Sequence, residues 1–272
     1  MSTAPMSIDL ATMKTTQQQA WASGNYARIG STLQIVGEEL AEAVIHSAGD
    51  RVLDVAAGNG NVTLACARRF CDVTSTDYVP ELLAHGRERA DVDGLTVHFQ
   101  VEDAEALSFD DASFDVVVST FGVMFTADQH AAASEMQRVC RSGGRIGMAN
   151  WTPDGFIGRM FRIIGAYANL PVDAPKPPVW GTEAWLTSTF TDASEVSVTP
   201  KMFMFSYPSP RAFVEFFRAW YGPLQRLFLA LEPEQQMALE RDLLALIAEG
   251  NEATDGTMRV PAEYLEVVIT MA

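Results

Sequence analysis

Between positions 52 and 150, short apolar runs alternate with stretches of helical period, and this alternation restricts the chain more than any other feature it carries. Val52–Ala56, Asp72–Thr76, Leu95–Val101, Phe114–Ser119 and Arg145–Asn150 read as strands. Helix signals begin at Thr63–Arg69 and run over Pro80–Ala90 and Ala127–Arg141. Pro80 suits a first helical turn, where the N–H it lacks would have no partner. The run FDVVVS at 114–119 is almost continuously apolar, as a central parallel strand covered on both faces requires. Strands joined by helices at this spacing predict an α/β fold, a Rossmann-like doubly wound parallel sheet with right-handed crossovers.

The flanks read differently. Residues 1–16 are polar and predict a frayed end, 17–22 favour helix, and Gly24-Asn25 interrupts. A helix is expected from about Ile29 to His46, with Leu33, Val36, Leu40 and Val44 on one face. After Trp151 the sequence predicts a turn and helix over Pro153–Leu170, a Pro-rich loop at 171–181 and a short helix at Glu183–Phe190. A strand at Glu195–Tyr207, a largely helical Pro208–Gly250 and a last strand at Glu263–Met271 complete it. The expected organisation is a helical cap segment at 1–46 and a ligand-binding core at 47–151. Residues 152–272 then form a sheet edge that carries a helical cap insertion at about 208–258 within the same domain. An insertion of that length exceeds what a connection needs, which is the usual mark of a functional segment.

Composition narrows the partners. Asp plus Glu number 35 against 19 Lys plus Arg, a net charge of −16, and no basic run interrupts the excess. Such a surface repels phosphate backbones, so no nucleic-acid partner is expected. Cys66, Cys71 and Cys140 form no C-x-x-C pair, and no His/Cys cluster has metal-ligand spacing, so buried thiols and no metal are expected. No apolar run approaches the roughly 20 residues of a membrane span, and the N-terminus lacks a basic flank before an apolar stretch. A cytoplasmic protein without a membrane partner is the expectation; oligomeric state leaves no signature.

The chemistry concentrates at RVLDVAAGNGNVTL, residues 51–64, where a strand carrying Asp54 runs into a turn containing Gly58 and Gly60 and then a helix. In a doubly wound sheet this is where ligands bind, against backbone amides at the helix start. Two ligands fit. A dinucleotide would want a third glycine, but Thr63 stands there, and Asp54 would repel a pyrophosphate. A phosphate-free, cationic nucleoside such as S-adenosylmethionine would instead be favoured by that carboxylate.

D-V-A-A-G-N-G (Asp54–Gly60) resembles the first motif of the class I S-adenosylmethionine-dependent methyltransferases, and later motifs follow in order across about residues 20–151. The branch it resembles most is the ubiquinone/menaquinone-biosynthesis type and related small-molecule enzymes. The resemblance implies a seven-stranded sheet with an antiparallel last strand and S-adenosyl-L-methionine as cofactor. It implies that Asp54, Ala56, Gly58, Asn59 and Gly60 border the cofactor, that Asp77 accepts from both ribose hydroxyls and that Tyr78 packs on adenine. Asp103 and Ala104 would cap the adenine amino group, with Ser119 and Thr120 in the segment beneath the cofactor. Ser142 replaces the family's usual proline before the Gly143-Gly144 pair, which bears on turn stiffness.

The expected reaction is methyl transfer by in-line displacement onto an O, N or C nucleophile of a small, aromatic or apolar metabolite. Such catalysis rests on alignment and exclusion of water. His46, His85 and His98 fall away from the expected cleft; His130, after the fourth strand, is the one histidine placed to serve as a base. Trp21, Tyr26, Phe125, Trp151, Trp180, Phe217 and Tyr221 are candidate walls of an acceptor pocket. The helical spacing of Phe213, Phe216, Phe217, Trp220 and Tyr221 equally suits plain packing. The rival readings are a catalytically silent S-adenosylmethionine-binding protein and a nicotinamide-dependent reductase; for the short-chain form of the latter, no tyrosine has a lysine four residues on.

Overall fold

The computed structural model describes residues 10–168 and 174–272. The first nine residues of the expected frayed end, and 171–173 of the Pro-rich loop, lie outside the described residues.

Helices α1 (Leu10–Ala22), α2 (Tyr26–Gly30) and α3 (Gln34–Val44) precede strand β1 (Arg51–Val55). Then α4 (Asn61–Ala67), β2 (Asp72–Asp77), α5 (Pro80–Asp93), β3 (His98–Val101), β4 (Phe114–Thr120), α6 (Gln129–Val139) and β5 (Cys140–Trp151) follow in alternation. Helices α7 (Phe156–Tyr167) and α8 (Glu183–Thr189) lead to β6 (Ala193–Tyr207). Helices α9 (Pro210–Trp220), α10 (Gly222–Ala230) and α11 (Pro233–Gly250) intervene before β7 (Met258–Met271).

Among the described residues the strands form one seven-stranded sheet in the order β3-β2-β1-β4-β5-β7-β6. The first five strands pair in parallel, and β7 runs antiparallel to both neighbours. The doubly wound sheet is therefore present as the alternation predicted, and the antiparallel last strand as the resemblance implied. Strand order reverses at β1, which pairs with β2 on one side and β4 on the other, so the crevice for a ligand opens above the carboxyl ends of these strands. Val52, Leu53, Val116, Val117 and Val118 are wholly buried, which accounts for the unbroken apolar runs of β1 and β4.

Three expectations need correction. Helix α1 starts at Leu10, not near Gln17, because Lys14 and Gln18 bond to the loops after β3 and β2 and stabilise a stretch that propensity alone leaves marginal. The single helix expected over 29–46 is interrupted by a 3-10 turn at Ser31–Leu33, where the Gly30 carbonyl accepts from Asn61 Nδ2 (2.7 Å). The turn expected at 142–144 is a bulge within β5: Phe114 pairs with Cys140, and the register resumes at Val116 with Arg145.

Strand β5 ends at Trp151 opposite Tyr264, yet β6 and β7 continue together as far as Tyr207 opposite Met258. This two-stranded ribbon rises past the carboxyl edge of the sheet and carries α9–α11 over the crevice. Helix α1 meets them there, with Asn25 N–H donating to the Trp220 carbonyl (3.2 Å).

Candidate active site

The turn after β1 folds as its glycines allow. Gly58 (φ 58°) and Gly60 (φ 80°) occupy the left-handed region, where a side chain would be strained, and Ala56 shares it at φ 53°. The turn is held from below by Asp77, the last residue of β2. Its carboxylate accepts from the Gly58 N–H (2.9 Å) and the Val79 N–H (2.9 Å). Asp77 is 5% exposed, and burial pushes its carboxyl up to about 6 although these amides pull the other way. Arg89 of α5 supports the turn from behind, donating to the Asn59 carbonyl (2.6 Å) and Asn61 Oδ1 (2.9 Å).

Above the turn opens a cleft of about 870 Å³. Ala56, Gly58, Asn59, Asp77, Tyr78, Asp103, Ala104 and Thr120, each singled out in the sequence, line it together. Three others expected there do not. Asp54 is fully buried behind the turn, where its Oδ2 accepts from the Thr63 N–H and hydroxyl, so it fastens the start of α4 to β1 rather than facing a ligand. Ser119 donates to the Val55 carbonyl (2.7 Å) and accepts from the Val123 N–H (3.0 Å), a cross-tie inside the sheet edge. Gly60 turns toward α5, with Gly86 Cα 3.7 Å from where its side chain would begin. Burial raises the Asp54 carboxyl to about 7, against the Thr63 hydrogen bonds, and the charge of Asp77 adds to the rise.

Of the roof, sequence reasoning named Trp21 as a pocket wall but missed Lys14 and Gln17. Lys14, Gln17 and Trp21 of α1 line the cleft, and Lys14 reaches Asp103 Oδ2 (2.7 Å) and Glu105 Oε2 (2.5 Å). Their spacing of three and four is one helix face, a signal present in the sequence once the helix is known to start at Leu10. Glu105 also accepts from the Ala127 and Asp128 N–H groups (2.8 and 2.9 Å), joining the loop after β3 to the start of α6.

A second cavity of about 360 Å³ adjoins the first and shares Trp21, Tyr26, Leu33, Phe121 and Phe125 with it. Trp151, Phe217 and Tyr221 complete its sequence-predicted wall, with Phe161 and Phe205 added by the fold. Trp21 stands at its centre, with ring centroids 5.5 Å from Tyr26, 4.9 Å from Phe125 and 5.5 Å from Tyr221. Phe121 stacks on Trp151 at 4.0 Å and holds a positive φ of 55°, strain in a bulky residue of the kind that gathers at functional sites. Among the described residues its lining contains no acid, lysine, arginine or histidine.

Two expected site residues lie elsewhere. Trp180 is wholly buried under the sheet edge, packed against Trp185 (4.3 Å) and Phe190 (6.2 Å). His130 is exposed on α6 with its ring 5.8 Å from Trp185, and it lines neither cavity. Among the described residues no cluster of His, Cys, Asp and Glu would hold a metal ion, and no helix is long and apolar enough to cross a membrane.

The donor set of the first cleft fits the cofactor that the sequence suggests. Asp77, Glu102, Asp103 and Glu105 face it, and Lys14, the one cation in its lining among the described residues, is already paired with two of them. A pyrophosphate would meet repulsion there, whereas a sulfonium and an amino group meet attraction. A buried carboxylate at a strand end suits vicinal hydroxyls, to which Asp77 offers its remaining lone pairs.

Comparison with known proteins agrees with that geometry. A family model described as a methyltransferase domain matches residues 53–148. An uncharacterised protein of Mycobacterium tuberculosis is 37% identical over 258 residues, 93% of this chain and 93% of its own length. A demethylmenaquinone methyltransferase of Deinococcus radiodurans is 37% identical over 127 residues, 45% of this chain and 52% of that protein. In fold, the crystal structure of the YcgJ protein from Bacillus subtilis superposes with a TM-score of 0.59 at 17% identity, covering 87% of this chain and 98% of that one.

Proposed function

We propose that this chain, which belongs to the class I S-adenosylmethionine-dependent methyltransferases, moves the methyl group onto an oxygen, nitrogen or carbon nucleophile of a small aromatic or apolar metabolite. The observation that carries the acceptor class is the second cavity, walled by aromatic rings and joined to the cofactor cleft through Trp21, Tyr26 and Phe125.

When bound, S-adenosylmethionine supplies an electrophilic methyl carbon whose bond to sulfur breaks, with the electron pair left on sulfur, as the acceptor's lone pair attacks. Everything else falls to the chain. Of the residues lining the cleft, Asp77 would accept hydrogen bonds from the ribose hydroxyls, Tyr78 would pack on the adenine, and Asp103 and Ala104 would cap its amino group. The amides and open backbone of the Gly58 turn would receive the amino-acid tail. Trp21, Phe121 and Phe125 stand where the two cavities meet and orient the acceptor while excluding water, a contribution of proximity and desolvation rather than proton transfer.

The test is a panel of phenols, enolisable ketones, amines, thiols and hydrophilic carboxylates incubated with S-adenosylmethionine, with release of S-adenosylhomocysteine measured. Turnover is expected with uncharged aromatic or apolar acceptors. Turnover confined to charged, hydrophilic acceptors would contradict the reading.

A further inference from the structure

The second cavity is apolar but not featureless. Tyr26 and Tyr221 both contribute to its wall, and Tyr26 lines the cofactor cleft as well. Tyr221 is 6% exposed, and neither phenol hydroxyl has a hydrogen-bond partner among the described residues. The Tyr26 ring lies over the glycine turn: a side chain at Gly58 would begin 3.7 Å from it. Trp21 contacts both tyrosine rings edge-on at 5.5 Å and so wedges the pair in place. Two phenols without hydrogen-bond partners in the wall of one small cavity leave both hydroxyls available to a ligand atom.

We infer that the hydroxyls of Tyr26 and Tyr221 form a donor pair that receives the oxygen of the acceptor, and that the acceptor is an ionisable hydroxyl compound, a phenol or an enol, methylated as its anion. The inference rests on the methyltransferase reading above and narrows it. The polar side-chain groups of this wall are these phenols and the indole N–H groups of Trp21 and Trp151. Among the described residues, this wall has no carboxylate, imidazole or amine to take up a proton. Burial holds the Tyr26 hydroxyl up at about 12, with the nearby Asp77 charge adding to the rise, and it raises the Tyr221 hydroxyl further, so both stay protonated and donate. The charged neighbours are few. Asp77 at the end of β2 faces Tyr26; Lys14 of α1 is paired with Asp103 and Glu105 at the outer mouth; α7 and α9 present only Ile157, Met160, Phe161 and Phe217.

The step balances without a protein base. The acceptor's O–H bond breaks, its proton passes to solvent, and the electron pair stays on oxygen, where two donated hydrogen bonds stabilise it in a dry environment. For transfer to oxygen that pair forms the new O–CH3 bond; for transfer to a conjugated carbon it becomes the C=O π bond while the C=C π pair forms the new C–CH3 bond, and in a phenol the ring hydrogen then leaves as a proton to solvent. Tyr26 and Tyr221 thus stand in for the general base that this wall lacks among the described residues: they lower the pKa of the bound acceptor instead of removing its proton.

4-Nitrophenol, whose anion is yellow, tests this in full-length protein saturated with S-adenosylhomocysteine, so that no turnover intervenes. Calorimetry first records binding of S-adenosylhomocysteine, and the absorbance of bound 4-nitrophenol is then titrated against pH. Tyr221→Phe and Tyr26→Phe are each expected to raise the apparent pKa of the bound probe by about one unit or more, the effect of losing one hydrogen bond to an anion. Tyr207→Phe removes another buried, unpartnered phenol that lies outside both cavities, and it is expected to leave that pKa unchanged. Thermal unfolding checks that each variant is folded, and either active-wall variant suffices alone. S-adenosylhomocysteine binding with a probe that does not bind, or with a bound-probe pKa equal in wild type and variants, overturns the donor pair only. Absence of S-adenosylhomocysteine binding overturns the methyltransferase reading and the donor pair with it.

Discussion

Asp77 and Asp54 show how one residue type does two jobs at one strand edge. Both were legible as acids at the ends of neighbouring strands. What the sequence hides is the direction of each side chain, since Asp54 pairs with Thr63 across a turn whose geometry no spacing rule encodes. Asp77 opens to the cleft, and its carboxyl is held at about 6. Ribose hydroxyls donate to the ionised form alone at full strength, so S-adenosylhomocysteine affinity is expected to rise as pH increases through about 6 and to fall below it. Asp77→Asn is expected to remove that pH dependence and to weaken binding by about tenfold or more, the scale of one hydrogen bond to a charged group. Asp54 gives a stability prediction of its own. Its carboxyl sits at about 7 when folded, above the ordinary value of 3.8, so the folded state holds a proton that the unfolded chain has released. The stabilisation is complete below the ordinary value and is lost as pH rises toward about 7. Asp54→Asn keeps an oxygen for the Thr63 N–H and removes the charge. Urea midpoints should therefore show the variant gaining on wild type between pH 5 and pH 8.

Among the elements, the alternating strands and helices of 51–151 were readable because a parallel sheet demands continuous apolar strands and helices of matching period. The cap was harder. Helix α1 is polar, and its order comes from Lys14 and Gln18 reaching loops far away in sequence, a tertiary effect that local composition does not carry. Of the aromatic positions 213, 217 and 221, the sequence reading placed Phe217 and Tyr221 in the acceptor wall, where they line the cavity, while Phe213 packs against Phe205. That division depends on the β6–β7 ribbon lifting α9 over the crevice. The seam between α1 and α10 is tight: a methyl group at Gly222 would stand 1.9 Å from the Ala20 carbonyl oxygen. Gly222→Ala is expected to push α10 off α1 at a cost of about 1–3 kcal/mol. By differential scanning calorimetry this should lower Tm by roughly 3–10 °C, and cofactor binding should weaken with the displaced Trp21 face.

At the scale of the whole molecule, a strongly acidic chain places four carboxylates and one paired lysine around its nucleoside cleft, and an uncharged aromatic cavity beside it. Charge thus separates the two halves of the reaction: the acidic half suits a cationic cofactor and rejects phosphate, and the apolar half suits an acceptor stripped of water. The doubly wound class follows from the alternation in the sequence; the placement of β7 between β5 and β6 does not, and the juxtaposition of two cavities needs α1, the loop after β4 and the insertion brought together in space. The most direct measurement is a calorimetric titration of the chain at neutral pH with S-adenosylhomocysteine and, separately, with NAD. A saturable single-site heat with S-adenosylhomocysteine, abolished in a folded Asp77→Ala variant and absent with NAD, is the result predicted. Heat with NAD, or S-adenosylhomocysteine binding indifferent to Asp77→Ala, would contradict the account.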